Sequence, residues 1–291
     1  MEDEAMKRVS VMVLTLLLLV AAASQAQTYK IDWYSINSGG GESAGGEYKL
    51  NASIGQPVAG FASGTDLMHW IGFWGGEVPT PTPVAGVGDA KALPDGTLVS
   101  IAGKIASSAD GEFSGFFYLQ ESNRTGGLRV VAPSIPGLVR GSVINVIGTM
   151  GTDSTGERQV TGPMVILVTT TTPPTPVGMT NLGVGGSNLG TPPLGQPGVS
   201  GGTGLNNVGL LVETWGQITY ADNTNKYFYV DDGSGVDDGS GHLGVRVSCP
   251  GFVSVPTSGY ATVIGVSSLY KPGTVRNRLI LPRAATDVTV R

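Results

Sequence analysis

The sequence predicts an all-β protein assembled from small modules, and three features of its composition support this. Glycine supplies 46 of the 291 residues, far above its usual share of about 7%. Only 13% of the residues are charged, against a typical ~25%. Thr, Val, Gly and Pro dominate while long helix formers are rare, which favours short strands joined by tight turns. Glycine readily adopts positive φ angles, and β-branched side chains suit a pleated surface.

Residues 1–26 have the pattern of a secretory signal peptide. Lys7 and Arg8 precede an almost entirely apolar run from Val9 to Ala23. Small residues then frame a cleavage site at Ser24-Gln25-Ala26, so we expect cleavage after Ala26. Since the residues before Met6 are acidic, translation is expected to begin at Met6. An uncut N-terminal anchor is the alternative, but no second apolar run of spanning length follows, and the mature chain is expected to be soluble.

Residues 28–77 predict a small β-meander. Apolar and polar positions alternate around glycine clusters, and strands are expected near Ile31–Tyr34, at Tyr48–Ile54 and at Leu67–Trp74. Trp33, Trp70 and Trp74 are the expected core. The segment resembles a short Gly- and Trp-rich module that follows the signal peptide in bacterial surface and exported proteins. The resemblance implies no particular function.

Residues 78–85 predict a linker. Alternating proline and threonine from Pro79 to Pro83 are typical of an extended polyproline-type spacer. This spacer separates the meander from the rest of the chain.

Residues 86–172 and 209–291 read as two copies of one unit. Gly103 matches Gly216, Tyr118 matches Tyr229 and Gly148 matches Gly265, with a nearly constant separation. The first copy contains LVSIAGKI, FFYLQES, LRVV and SVINVIGTM, and the second contains LVETWGQI, YFYVDDGSG, GVRV and YATVIGVSS. Residues 173–208, between the copies, are rich in Gly, Pro and Asn and lack periodicity. They predict a linker or an extended wrap rather than a domain.

The order of the segments in each copy resembles the OB-fold, a five-stranded Greek-key barrel. A glycine in the first strand, Gly103 or Gly216, would let that strand bend across the barrel. Ala92–Thr97 is similar to the lead-in of OB-type modules in bacterial exported proteins. Many OB-folds place a helix between strands three and four, but Ala132–Gly141 and Ser248–Gly259 contain prolines and have no helical period. We therefore expect that helix to be reduced or absent, and other small barrels or sandwiches remain alternatives.

The barrel surface is the first candidate site. Strand side chains alternate, so Phe117, Leu119, Phe228 and Val230 are expected to face inward. The candidate ligand-binding residues are then Phe116, Tyr118, Arg129, Tyr227, Tyr229 and Arg246. The resemblance implies this role, since OB-folds stack bases or sugars on strand two. The alternative is that these aromatic side chains pack against the linker or the sister barrel.

A doubled DDGSG sequence is the second candidate site. Its carboxylates belong to Asp231, Asp232, Asp237 and Asp238. Ca²⁺ prefers several oxygen ligands on a flexible loop, so Ca²⁺ is the cation such a loop would hold. The spacing does not match an EF-hand. The alternative is a solvated turn, which Asp and Gly favour.

The remaining reactive side chains indicate no catalytic residues. His69 and His242 lie in different modules and in no triad or metal-binding spacing. Cys249 is the only cysteine; a buried apolar role is expected, and pairing between chains is the alternative. The net charge of −5 supplies no basic field for nucleic acid.

We therefore expect an exported, non-catalytic binding or surface-interaction protein with no required cofactor, secreted or held in the cell envelope. Polysaccharide, oligonucleotide and surface protein are the partner classes. An accessory part of an extracellular nuclease or other hydrolase system and a structural cell-surface protein are the two alternatives.

Overall fold

The computed structural model describes residues 39–45, 48–55, 60–63, 68–71, 80–191 and 194–291. The predicted signal peptide, residues 1–26, lies outside them. The chain divides into two compact units, Met1–Val78 and Pro79–Arg291. In the first unit, β1 (Gly39–Gly45) pairs antiparallel with β2 (Tyr48–Ile54), and β3 (Gly60–Ser63) pairs antiparallel with β4 (Met68–Ile71). These strands include the predicted Tyr48–Ile54 and part of the predicted Leu67–Trp74.

The second unit begins with a closed five-stranded barrel. Its strands are β6 (Leu98–Ala106), β7 (Phe116–Gln120), β8 (Gly127–Val131), β9 (Ser142–Thr152) and β10 (Arg158–Thr170). They are arranged in the order β6-β7-β8-β10-β9, and β9 pairs back onto β6 to close the barrel. All neighbours are antiparallel except β8 and β10. Closure leaves no complete sheet edge exposed.

A second barrel repeats this arrangement. Its strands are β12 (Leu211–Asp222), β13 (Tyr227–Asp231), β14 (Val245–Ser248), β15 (Tyr260–Tyr270) and β16 (Asn277–Leu281). The order is β12-β13-β14-β16-β15, β15 pairs back onto β12, and β14 and β16 are the parallel pair. A short β17 (Val288–Val290) extends the sheet beside β15. The two copies therefore share one Greek-key topology, which confirms the predicted OB-like barrels.

The helix that many OB-folds place between strands three and four is absent from both barrels. Residues 132–141 and 249–259 form only turns and irregular backbone. Proline restricts the residue before it to extended conformations and removes a helical hydrogen-bond donor. The prolines in these segments therefore correctly indicated the loss of this helix.

The sequence did not predict a short helix that closes one end of the first barrel. Helix α1 (Val87–Ala92) buries Val87 and Ala90 in the barrel core, where Leu93 also packs. Before it, β5 (Thr82–Val84) pairs in parallel with β6. Thr82–Val84, the end of the predicted Pro/Thr linker, therefore forms an edge strand of the barrel.

Residues 173–191 and 194–208 lie against the barrels as an extended wrap. β11 (Val177–Gly178) pairs in parallel with β12, and Val184 is fully buried in the core of the second barrel. The sequence Pro-Thr-Pro-Val occurs at 81–84 and again at 174–177, and each copy contributes an edge strand beside the first strand of its barrel. The repeated unit therefore starts earlier than predicted, and its second copy carries an insertion before β12.

The two barrels form one unit because the outer face of β7 packs against the second barrel. Phe113 and Tyr118 form a buried cluster with Leu211 and Val266. Beside this cluster, the backbones of Gly127 and Gly209 approach so closely that a Cβ on Gly127 would overlap the carbonyl group of Gly209. Side chains larger than glycine would hold the two segments apart.

A buried polar network also joins the barrels. The Glu157 carboxylate accepts hydrogen bonds from the Tyr118 hydroxyl at 2.8 Å and from Ser268 Oγ at 2.5 Å. Burial raises the pKa of Glu157, and these donors offset part of the rise. Lys91 Nζ, on α1, donates to the Val208 carbonyl at 2.7 Å. The Ser268–Glu157 and Lys91–Val208 bonds connect the first barrel and α1 to the second barrel and the wrap, while the Tyr118–Glu157 bond orients the carboxylate within the first barrel.

Candidate functional site

The outer surface of β13 and β14 carries the predicted ligand-binding residues of the second barrel. Phe228 and Val230 lie in the barrel core, so the predicted alternation is confirmed. Tyr229 pairs with Arg246 across the ladder, and Tyr227 pairs with Ser248. Because directly opposite residues of an antiparallel pair share one face, Tyr227, Tyr229 and Arg246 lie together outside the barrel.

Arg246 lies between two tyrosine rings. Its guanidinium carbon is 3.6 Å from the ring centroid of Tyr227 and 4.3 Å from that of Tyr270. The positive charge is attracted to the negative face of each ring, and these contacts hold the long side chain flat. Its hydrogen-bond donors are thereby kept in a fixed plane.

Tyr220 and His242 extend this surface, and sequence reasoning missed both. A register shift in β12 between Ile218 and Tyr220 brings the Tyr220 ring within 5.9 Å of the Tyr227 ring. His242 lies in the loop after β13, and its ring stacks nearly parallel on the ring of Tyr220 with 3.7 Å between the centroids. No local pattern signals this contact, because it depends on how the Asp-rich loop folds back. We call Tyr220, Tyr227, Tyr229, His242, Arg246 and Tyr270 the aromatic strip.

Tyr229 lies at the base of the strip. It is fully buried beneath its neighbours, and its hydroxyl donates to Asp238 Oδ2 at 2.6 Å. Burial raises the pKa of Tyr229 to about 12, and the bond to Asp238 contributes. Burial also raises the pKa of Tyr227. Both hydroxyl groups therefore remain protonated donors at neutral pH, with Tyr227 in reach of a ligand and Tyr229 supporting it from below.

The four aspartates of the doubled DDGSG loop serve as turn caps. Asp231, Asp237 and Asp238 each accept a backbone N–H within the loop, from Gly235, Gly239 and Ser240 respectively. Asp232 accepts from the N–H of Ser234 at 3.0 Å and from the N–H of Asn181 at 2.8 Å. In the part of the chain that the structure describes, these carboxylates do not join a group of three or more metal-binding side chains. The arrangement is the one that Asx turns produce.

We expect Ca²⁺ to leave the stability of the protein unchanged, because backbone donors already occupy these carboxylates. Thermal unfolding with millimolar CaCl₂ and with EDTA should give midpoints within about 1 °C of each other. A ligand that binds only the folded state raises its stability measurably at 100 times Kd, by about 2.7 kcal/mol. A calcium-dependent rise of several degrees that Asp237→Asn abolishes would instead support the predicted metal site.

The first barrel has the same cation–aromatic arrangement, but its aromatic surface is covered. The Arg129 guanidinium lies 3.9 Å from the ring centroid of Phe116 and also pairs with Asp153 at 3.0 Å. Tyr118 is fully buried against Leu211 and Val266 of the second barrel. Of the predicted ligand-binding residues of this barrel, Tyr118 is therefore part of the interface, in line with the alternative of packing against the sister barrel.

A cleft of about 950 Å³ lies between the barrels and adjoins the aromatic strip. Its apolar walls come from the segment Phe113–Phe116 and from the loop after β14, which includes Phe252. Ser248 lines the cleft and is also the ladder partner of Tyr227. Cleft and strip therefore meet at one position on the outer surface, and clefts of this size between domains are common ligand sites.

Cys249, at the cleft wall, is buried. Burial raises the pKa of its thiol to about 12, so the thiol remains protonated and unreactive at neutral pH.

Among the described residues, no helix combines the length and apolar character needed to cross a bilayer. No protein-family model matches this chain, and neither does any curated protein.

Proposed function

We propose that this is an exported, non-catalytic binding protein that presents the aromatic strip of its second barrel to a polysaccharide. The strip carries the proposal: above the buried Tyr229 it combines three partly exposed tyrosines, a stacked histidine and an arginine that two rings hold in place. Planar side chains offer apolar faces to sugar rings, while hydroxyl and guanidinium groups on the same surface can donate hydrogen bonds. Site-bearing OB-like barrels use this same face.

The charges around the strip favour a carbohydrate over an oligonucleotide. Asp231, Asp237 and Asp238 belong to the loop that carries His242, and the chain has a net charge of −5. A protein gains affinity for the phosphate backbone of an oligonucleotide mainly through clustered Lys and Arg side chains. The strip offers only Arg246 in their place, and nearby carboxylates would repel phosphates.

Export to the cell envelope or the medium is part of this proposal. It rests on the signal-peptide pattern of residues 1–26. Polysaccharides are abundant outside the cytoplasm, so the proposed location and the proposed ligand class are consistent. The glycan ligand would be a surface or extracellular polymer.

We expect Tyr227→Ala to weaken binding of a soluble polysaccharide about tenfold, because one stacking contact contributes on the order of 1–2 kcal/mol. A panel of neutral and acidic polysaccharides is screened for binding, and the affinity of each polysaccharide that binds is measured by isothermal titration calorimetry. Tyr260→Ala is the matched control, since this tyrosine is 56% exposed and lies outside the strip. Equal loss in both variants, or binding of single-stranded DNA at physiological salt without any glycan hit, would contradict the proposal.

A further inference from the structure

A second cavity lies between α1, the β7–β8 turn and the part of the wrap that runs from Val177 toward Leu210. Its volume is about 600 Å³, within the usual range for small-molecule sites. Most of its wall is apolar and includes Val177, Met179, Leu189, Leu205 and Leu210. We call it the lysine pocket, because Lys91 lines it.

Lys91 is an unusual wall residue because it is a buried cation with spare donors. Its exposed fraction is 3%. An ammonium group has three N–H donors, and within the described residues Lys91 makes one hydrogen bond, to the Val208 carbonyl. Burial lowers the pKa of Lys91 to about 8, with the nearby Glu157 carboxylate opposing part of the shift. At neutral pH the group is still mostly charged, so unused donors in this setting are costly.

Arg124 supplies a second cation to the same pocket. Its backbone has φ near 60°, a conformation that is uncommon for residues other than glycine and often marks functional positions. Its guanidinium makes only a 3.5 Å contact, to Thr175 Oγ1, and no ion pair among the described residues. No aspartate or glutamate lines the pocket. The pocket therefore combines an apolar wall with two cations and no carboxylate.

The mouth of the pocket is also apolar. Leu205 is 91% exposed and Leu189 is 38% exposed. Both leucines belong to the insertion that distinguishes the second repeat from the first. Exposed apolar side chains at the entrance of an apolar cavity mark binding surfaces rather than ordinary protein surface.

From this combination we infer that the lysine pocket binds a small anionic amphiphile, a medium-chain fatty carboxylate. The chain would lie against the leucines and Met179, and the carboxylate would accept hydrogen bonds from Lys91 and Arg124. Charge-assisted hydrogen bonds of this kind are the stronger class. This site shares no residue with the aromatic strip, so its test is independent of the proposed polysaccharide binding.

Isothermal titration calorimetry of the full chain with sodium decanoate at pH 7 tests the inference. We expect one decanoate per chain, at least tenfold weaker binding for Arg124→Gln, and similar weakening for Leu205→Gln. Leu194→Gln is the matched control, because Leu194 belongs to the same insertion, is exposed, and does not line the pocket. Decanol and decyltrimethylammonium should bind at least tenfold more weakly than decanoate.

Several results would overturn the inference. The first is that decanoate gives neither binding heat nor a rise in the unfolding midpoint. The second is that decanol binds as tightly as decanoate. The third is that Arg124→Gln and Leu205→Gln bind decanoate as tightly as the parent protein. Lys91→Met is a further variant, and its folding is checked first by circular dichroism. If Lys91→Met does not fold, Arg124→Gln still tests the inference, because Arg124 is exposed and its substitution is not expected to unfold the protein. Tyr227→Ala should leave decanoate affinity unchanged, which separates this site from the aromatic strip.

Discussion

Tyr118→Ala should lower the free energy of unfolding by about 3–5 kcal/mol, the range for truncating a large buried aromatic side chain. Tyr118 is fully buried between the barrels and contacts the cluster that contains Leu211 and Val266. Truncation would leave a cavity at the centre of this interface and remove the 2.8 Å hydrogen bond to Glu157. Urea unfolding followed by circular dichroism measures the change.

Two further variants separate the ring from the hydroxyl group. Tyr118→Phe keeps the ring and should cost only about 1–2 kcal/mol, since Glu157 then loses one of its two hydroxyl donors. Tyr260→Ala, at an exposed tyrosine in β15, should change stability by less than about 1 kcal/mol. If Tyr118→Ala costs no more than Tyr260→Ala, the barrels are not packed through Tyr118.

The second large effect is expected for Gly127→Ala, which should destabilise the protein by about 3 kcal/mol or more. Overpacking in a well-packed interior typically costs 1–3 kcal/mol, occasionally more. Here the added Cβ would overlap the backbone carbonyl of Gly209, and no side-chain rotation can relieve a clash with backbone. Relief requires the start of β8 to move away from the lead-in to the second barrel.

Gly151→Ala is the control for this substitution. Gly151 lies in β9 of the same barrel, and the nearest heavy atom to an added Cβ is Thr161 Cγ2 at 3.8 Å, an ordinary contact. We expect the free energy of unfolding of Gly151→Ala to lie within about 1 kcal/mol of that of the parent protein. Equal midpoints for Gly127→Ala and Gly151→Ala in thermal unfolding would show that the glycine contact does not hold the barrels together.

Much of the fold could be predicted because strand patterns are local. The inward positions of Phe117, Leu119, Phe228 and Val230 follow from alternation alone, and the cores of both barrels contain them. The loss of the helix after strand three followed from prolines. Helix α1 and the early start of both repeats were missed, because a six-residue helix and edge strands of three and two residues leave almost no periodic signal.

The candidate site was only partly predictable. Tyr227, Tyr229 and Arg246 were selected from strand alternation and lie in one strip. Tyr220 and Tyr270 come from other strands, and His242 comes from a loop that folds back onto Tyr220. Such contacts join residues that are distant in the chain, so no local pattern reports them. The lysine pocket was missed for the same reason, since α1, the β7–β8 turn and the wrap meet only in the folded chain.

The sequence by itself determined the all-β class, the repeated barrel and the side of each strand that faces its core. These properties depend on alternation and turn chemistry within a few residues. Only the tertiary structure decided what covers each aromatic surface. Phe116-Phe117-Tyr118 and Tyr227-Phe228-Tyr229 have equivalent local patterns, but Leu211 and Val266 cover Tyr118. Tyr229 is equally buried, but its neighbours are Asp238 and His242 of its own loop, because burial depends on which segment packs against which face.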